Sequence, residues 1–211
     1  MIKTFIDKLL GKADGAKSRK PRFGKRVEVP ASVHGINPEL VDRRAVDVVR
    51  TLQDAGFEAY IVGGAVRDLL LGLRPKDFDV ATNATPEQVK GLFRRAFIIG
   101  KRFRIVHVVH GRGREHEVIE VSTFRAYLDN SAAEQVSGNE RTSKAQLSGM
   151  QHAVDASGRV LRDNVWGPQD QDAARRDFTV NAMYYDPETQ VVVDYHKGIE
   201  DAQKRVLRMI G

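Results

Sequence analysis

A strand that has to stop at a glycine pair and give way at once to a helix constrains this chain more than any other feature. Phe57–Val62 has the β-branched and aromatic character of a strand, and Gly63-Gly64 breaks it. Ala65–Leu71 then reads as a short helix closed by Gly72, and Arg74-Pro75 turns the chain into a second strand, Asp77–Ala81. Alternation along that strand puts Asp77 and Asp79 on one face and turns Phe78 the other way, into the core.

Two neighbouring carboxylates repel each other unless a cation lies between them. A hard divalent ion, held by one or two carboxylates and by substrate phosphates, fills that role. An Asp-x-Asp by itself also describes an ordinary strand end facing solvent. The glycine pair changes that balance: it lets phosphate oxygens approach the backbone, with the N–H groups of the following helix aimed at them. A phosphate cradle followed one hairpin later by paired carboxylates points to phosphoryl or nucleotidyl transfer with two metal ions. Glu120, in the apolar strand 118–123, is the candidate third carboxylate. The alternative for it is a cross-strand ion pair with an arginine.

The remaining elements follow from caps and periodicity. Asn37-Pro38-Glu39 reads as the start of order, opening a helix with Val41, Ala45, Val48 and Leu52 at helical spacing. Thr85-Pro86-Glu87-Gln88 is a capping box whose helix is expected to reach about Arg95. Strands are expected at Phe97–Gly100, Arg104–His110 and Glu117–Thr123. His107 and His110 fall on opposite faces and read as packed or hydrogen-bonded histidines. Tyr127–Gly158 is polar and reads as a long mobile loop. Gln169–Tyr184 reads as helix, Gln190–Asp194 as strand, and a last helix and short strand end the chain. The fold class is α/β (α+β), with a five-stranded mixed sheet and helices on one face.

Of 211 residues, 34 are Lys or Arg and 28 Asp or Glu, a net charge of +6. The excess is clustered, with six basic residues in Lys17–Arg26 (Lys17, Arg19, Lys20, Arg22, Lys25, Arg26) and five in Arg94–Arg104 (Arg94, Arg95, Lys101, Arg102, Arg104). Such clustering suits a polyanion. Residues 1–36 read as a basic flexible arm that begins with a short amphipathic stretch, and 37–211 as one domain. The absence of cysteine excludes disulfides, thiolate metal sites and cysteine nucleophiles. It fits a reducing cytoplasm, the expected location. No apolar run approaches the roughly 18 residues of a membrane span, so stable membrane insertion is not expected.

Four motifs stand in order: Gly63-Gly64-x-Val66-Arg67-Asp68, Asp77-Phe78-Asp79, the Glu120 strand ending in Thr123-Phe124-Arg125, and Arg175-Arg176-Asp177-Phe178-Thr179-Val180-Asn181-Ala182. Together, over about Leu40 to Gly211, they resemble the head domain of class II polymerase-beta-like nucleotidyltransferases. That branch holds bacterial poly(A) polymerases and tRNA CCA-adding enzymes.

The resemblance implies that Asp77 and Asp79 are catalytic carboxylates binding Mg²⁺ or Mn²⁺, with Glu120 and Asp177 also at the catalytic centre. It implies nucleotide contacts from Gly63, Gly64, Arg67, Arg125, Arg176 and Asn181, and RNA contacts from Lys101, Arg102 and Arg104. ATP and RNA 3′ ends are the expected partners, because Ile98–His107 and Leu161–Gly167 look like the poly(A) polymerase versions of those segments. CCA addition is the alternative within the family, and a non-catalytic basic RNA-binding module the alternative outside it. The family continues beyond the equivalent of Gly211 into neck and body domains, so the chain is expected to be a head-domain fragment.

Overall fold

The computed structural model describes residues 22–101, 103–112, 115–128, 134–135, 152–154 and 160–211. In chain order the first elements are β1 (Val27–Pro30), α1 (Ala31–His34), α2 (Arg43–Asp54), β2 (Ala59–Val62), α3 (Gly64–Leu70), β3 (Asp79–Thr82) and α4 (Pro86–Leu92). Next come β4 (Ala96–Ile99), β5 (Ile105–Arg112), β6 (Glu115–Thr123), β7 (Glu134–Gln135), β8 (His152–Val154) and β9 (Val160–Asp163). The last are α5 (Gln169–Ala174), β10 (Met183–Asp186), β11 (Val191–Asp194) and α6 (Gly198–Lys204).

The main sheet is mixed, as expected, but has eight strands rather than five, in the order β1-β11-β10-β2-β3-β6-β5-β4. Six pairings are antiparallel and only β3–β6 is parallel. Two of the added strands arise where the sequence suggests something else. Val27–Pro30, read as flexible arm, pairs antiparallel with β11, so order precedes Asn37. The expected helix Gln169–Tyr184 ends at Ala174, and Met183-Tyr184-Tyr185 enters the sheet as β10. Aromatic and β-branched side chains fit a pleated, half-buried surface better than a helix. Within the expected loop Tyr127–Gly158, β7 and β8 are described and form a small sheet with β9. Most of that segment, and Met1–Pro21, lie outside the described residues.

Strand alternation separates two cores. Ile61, Val80, Val106, Val121, Met183 and Val192 face one side and pack under α2, α3 and α4 through Val48, Leu52, Val66 and Val89. Their neighbours Val62, Ala81, Tyr184 and Val193 face the other side and form a smaller cluster with Phe124 and Ala173 of α5. Most helices thus share one face, while α5 sets one residue against the opposite one.

Side chains cap the starts of α2 and α4. Asn37 accepts from the Glu39 N–H, but this caps only a 3-10 turn at Pro38–Leu40. Val41 is extended, and Asp42 caps α2 by accepting from the Arg44 N–H at 2.8 Å. The capping box at α4 has both bonds, Gln88 N–H to Thr85 Oγ1 at 3.3 Å and Thr85 N–H to Gln88 Oε1 at 2.8 Å. Thr85→Ala removes one acceptor and should lower stability by about 1 kcal/mol, with Thr85→Ser close to wild type. Urea unfolding measures the difference, and equal midpoints for Thr85→Ala and wild type would show that the cap contributes nothing.

Candidate active site

The second face of the sheet, the one α2, α3 and α4 leave open, carries the acidic residues. Asp79 begins β3 directly beside Glu120 of β6, its partner in parallel register. On its other side Asp79 pairs with Val62, the last residue of β2. Gly63 therefore follows immediately next to the carboxylates, and its φ of +78° is one that L side chains rarely adopt. The strand expected from Asp77 begins only at Asp79; before it, Phe78 is buried in the main core and Asp77 is exposed.

Asp79 stays open to solvent from one side, but the protein packed around its carboxyl raises its pKa above the ordinary value. The Glu120 charge adds to that rise, Arg176 opposes it, and Asp77 pushes weakly upward. Asp77 and Glu120 are thus each within electrostatic reach of Asp79. Among the described residues Glu120 is not paired with an arginine; its neighbour is His107 of β5, with Nε2 3.3 Å from Oε1.

A connected set of polar side chains lines the other half of the site. Arg67 donates from Nε to Asp68 at 2.9 Å and from Nη1 to Asn181 Oδ1 at 3.1 Å. The Asn181 amide donates to Asp177 at 3.4 Å, and the Asp177 carboxylate also accepts from the Phe178 N–H at 2.7 Å. Arg67, Asn181 and Asp177 therefore form one chain of contacts, with Asp177 exposed at its end.

Arg176 lies deeper, reaching within 4.0 Å of where a Gly63 Cβ would stand. It donates to Asp172 Oδ2 at 3.1 Å and to Tyr184 Oη at 3.3 Å, and Tyr184 donates to the same Asp172 oxygen at 2.8 Å. Burial acts to lower the Arg176 pKa, but Tyr184 and Asp172 outweigh it and the group stands above its ordinary value. Asp172 also accepts from the Arg125 N–H at 3.0 Å.

Arg125, Arg175 and Arg176 line an open cleft of about 260 Å³ with Ser122, Thr123 and Asp172. Arg175 bonds Asp163 and Arg176 bonds Asp172. Arg125 has no carboxylate partner among the described residues; its guanidinium lies 4.8 Å from the Phe103 ring centre. Burial, and then the Arg175 charge, lower its pKa from the ordinary value.

The expected RNA contacts stand apart. Lys101 is exposed beyond β4, Arg102 lies outside the described residues, and Arg104 donates to Glu87 at 2.5 Å. Sequence reasoning missed Asp172 and Tyr184. The i,i+4 spacing of Asp172 and Arg176 was a usable signal, whereas nothing local marks Tyr184 as their third member.

Among the described residues no three carboxylate or imidazole groups converge as a ready-made metal cage. Asp77 and Asp79 nevertheless fit a hard divalent cation. They offer oxygen donors, and the Asp79 carboxyl, its pKa raised by burial and then by the Glu120 charge, is one whose charged form a cation would favour. One or two carboxylates are what Mg²⁺ takes when substrate phosphates and water supply the rest.

The model of the poly(A) polymerase head-domain family matches residues 59–208. The chain belongs to that family. Poly(A) polymerase I of Haemophilus influenzae is 47% identical over 95% of this chain and 40% of its own length. Poly(A) polymerase I of Salmonella typhi is 40% identical over the whole of this chain and 41% of its own length. A CCA-adding enzyme of Lactobacillus helveticus is 36% identical over 80% of this chain and 35% of its own length. The chain thus spans about two fifths of the length of the poly(A) polymerases it matches.

The crystal structure of the Bacillus stearothermophilus CCA-adding enzyme in complex with CTP is similar over 80% of this chain and 33% of that one, at TM-score 0.55 and 29% identity. A CCA-adding enzyme in apo form II shares the fold over 88% of this chain and 39% of that one, at TM-score 0.62 and 19% identity.

Two outcomes test this geometry. Asp172→Ala leaves Arg176 buried without its carboxylate and should cost about 3–5 kcal/mol in urea unfolding. A cost below about 1 kcal/mol, the size of one ordinary hydrogen bond, would mean that the pair is not buried in solution. Asp79→Asn should act in the opposite direction. A raised folded pKa means that the stability Asp79 contributes is present below its unfolded pKa and lost as pH rises through the folded value. In metal-free buffer at pH 7 the amide should therefore raise the unfolding midpoint, and the gain should fade below about pH 4. A midpoint lowered at pH 7 would contradict the crowding of charge at Asp79.

Proposed function

We propose that this chain is the catalytic head of an enzyme that adds AMP from ATP to RNA 3′ ends by two-metal nucleotidyl transfer. The observation that carries the transfer chemistry is the pairing of Asp79 with Glu120 beside the open backbone of Gly63, with Arg176 within reach. Likeness to named poly(A) polymerases at 40–47% identity over 95–100% of this chain supports AMP as the unit added. CCA-adding relatives stand at 36% over 80%, which keeps CCA addition as the second reading.

Asp77 and Asp79 hold the divalent cation, Mg²⁺ or Mn²⁺. When bound, such a cation makes the attacking hydroxyl a better nucleophile and neutralises charge developing on the leaving pyrophosphate. Arg67, held in place by Asp68 and Asn181, and Gly63-Gly64 receive the triphosphate. Arg125 and Arg176 add positive charge around it, where fixed donors favour the transition state without reorganising. Asp177, at the open end of the Asn181 contact, suits a ribose hydroxyl. Glu120, beside Asp79, stands ready to accept the proton of the attacking 3′ hydroxyl. Lys101, Arg102 and Arg104 take the RNA backbone, and the reaction belongs to the cytoplasm.

Incubation of the intact protein with oligo(A) and each labelled nucleoside triphosphate in turn tests this reading. Repeated AMP addition is expected, with CTP rejected and about a thousandfold or greater loss in Asp77→Ala or Asp79→Ala. Addition of two cytidines and one adenosine to a tRNA end would establish the second reading. Near-normal rates in either aspartate variant would remove that residue from the mechanism.

A further inference from the structure

The open face of the sheet extends past the carboxylates to the outer edge. In register, Phe97 of β4 pairs with His107 of β5, His107 with Glu120 of β6, and Glu120 with Asp79 of β3. Partners in register project to the same face of a sheet. The 3.3 Å contact between His107 and Glu120 fixes that face, and Ile98, which follows Phe97, packs on the opposite, helix-covered core. Phe97 therefore stands on the carboxylate side, about 14 Å from Asp79 at three strand spacings.

Phe97 is 53% exposed, and Ile99, the next residue on that face, is 43% exposed. Both belong to β4, an edge strand of the main sheet. Large apolar side chains on an edge strand invite association, so their place here calls for a partner. Charge selects its kind. Arg94 precedes the strand and Lys101 follows it, both exposed, and no acidic residue occurs in 92–104. An exposed ring flanked by cations, on the face and row of the carboxylates, matches a strand of unpaired bases better than it matches apolar protein.

We propose that Phe97, with Ile99 beside it, is a stacking platform for an unpaired base of the RNA strand whose 3′ end lies at Asp79 and Glu120. The proposal rests on the polymerase reading above. Base–aromatic stacking tolerates any base, because every base has a π-face. Arg94 and Lys101 hold the phosphates on either side of the stacked nucleotide. The platform holds the strand a few nucleotides behind the growing end.

Fluorescence anisotropy of the intact protein with oligo(A) of increasing length, without nucleoside triphosphate, tests the platform. Steady-state KM values for RNA and for ATP are measured in parallel. Phe97→Ala should weaken binding about fivefold or more for primers long enough to reach β4 from Asp79. Shorter primers and the KM for ATP should be unaffected, the KM for RNA should rise, and Phe97→Trp should bind like wild type. Unchanged RNA affinity in Phe97→Ala would overturn the proposal. A lowered unfolding midpoint with unchanged RNA affinity would overturn it too, by showing that protein covers the ring. If the wild type adds no AMP but Phe97→Ala still loses affinity for long primers, the platform stands and only the assigned reaction fails.

Discussion

Side-chain alternation in β3 and β6 is the constraint on which both the core and the site depend. Val80 and Val121 are at most 1% exposed and lie under the helices, so the neighbouring residues in each strand have to face the other way. That geometry brings Asp79 and Glu120 side by side at the one parallel pairing in the main sheet. Like charges placed opposite each other weaken a sheet. Here the strands are held by what lies beneath: fully burying one Val or Ile contributes about 1.5–3 kcal/mol, and β2, β3, β5, β6 and β11 each bury at least one. A one-residue slip of β3 against β6 would separate the carboxylates and also turn Val80 out of the core. The stability of the fold and the placement of the acidic pair therefore enforce a single register.

The arginines answer the acidic pair in a graded way. Arg175 and Arg176 are each tied to an aspartate, and Arg176 is further held by Tyr184. Removing a carboxylate from such a buried pair strands the cation, so these aspartates are structural necessities once the arginines are present. Arg125 differs, because among the described residues no carboxylate bonds its guanidinium, although the Asp163 and Asp172 charges act on it from nearby. A half-buried guanidinium set only against a ring keeps its donors available to an anion. The cleft thus holds two of its arginines in ion pairs and leaves the donors of the third open.

Much of this was legible in the sequence. The strand, glycine pair and helix, the Asp-x-Asp, and the Thr85 capping box are all local patterns, and local patterns determine local structure. The eight-strand count was not legible, because β1 and β10 exist only through partners distant in the chain: Val27 meets Asp194, and Tyr184 meets Val62. The same distance hid Tyr184 as the third member of the Arg176–Asp172 set. Glu120 was placed on the correct strand, but its neighbour proved to be His107, because that is the residue the β5–β6 register sets opposite it. The basic residues of 101–104 read from sequence as one RNA-facing group. In the fold Arg104 is already engaged by Glu87, which lies in the first turn of α4, so sequence clustering overstated how many of those charges are free.

The two segments that resemble the poly(A) polymerase branch, Ile98–His107 and Leu161–Gly167, lie about 60 residues apart in the chain and meet at Arg125. The first sets the Phe103 ring against the Arg125 guanidinium. The second forms a backbone bridge from Trp166 to Arg125, flanked by Ala126 N–H to Val165 O at 2.9 Å and Gly167 N–H to Phe124 O at 3.0 Å. A Cβ on Gly167 would come within 2.6 Å of the Ala126 Cα, so only glycine allows the two backbones this close. Backbone and side chain of Arg125 are therefore held by two segments distant in the chain. Arg104 links the same two segments again, its N–H donating to Asn164 Oδ1 at 3.1 Å. Two stretches remote in sequence thus converge on one residue and set its place in the cleft it shares with Arg175 and Arg176.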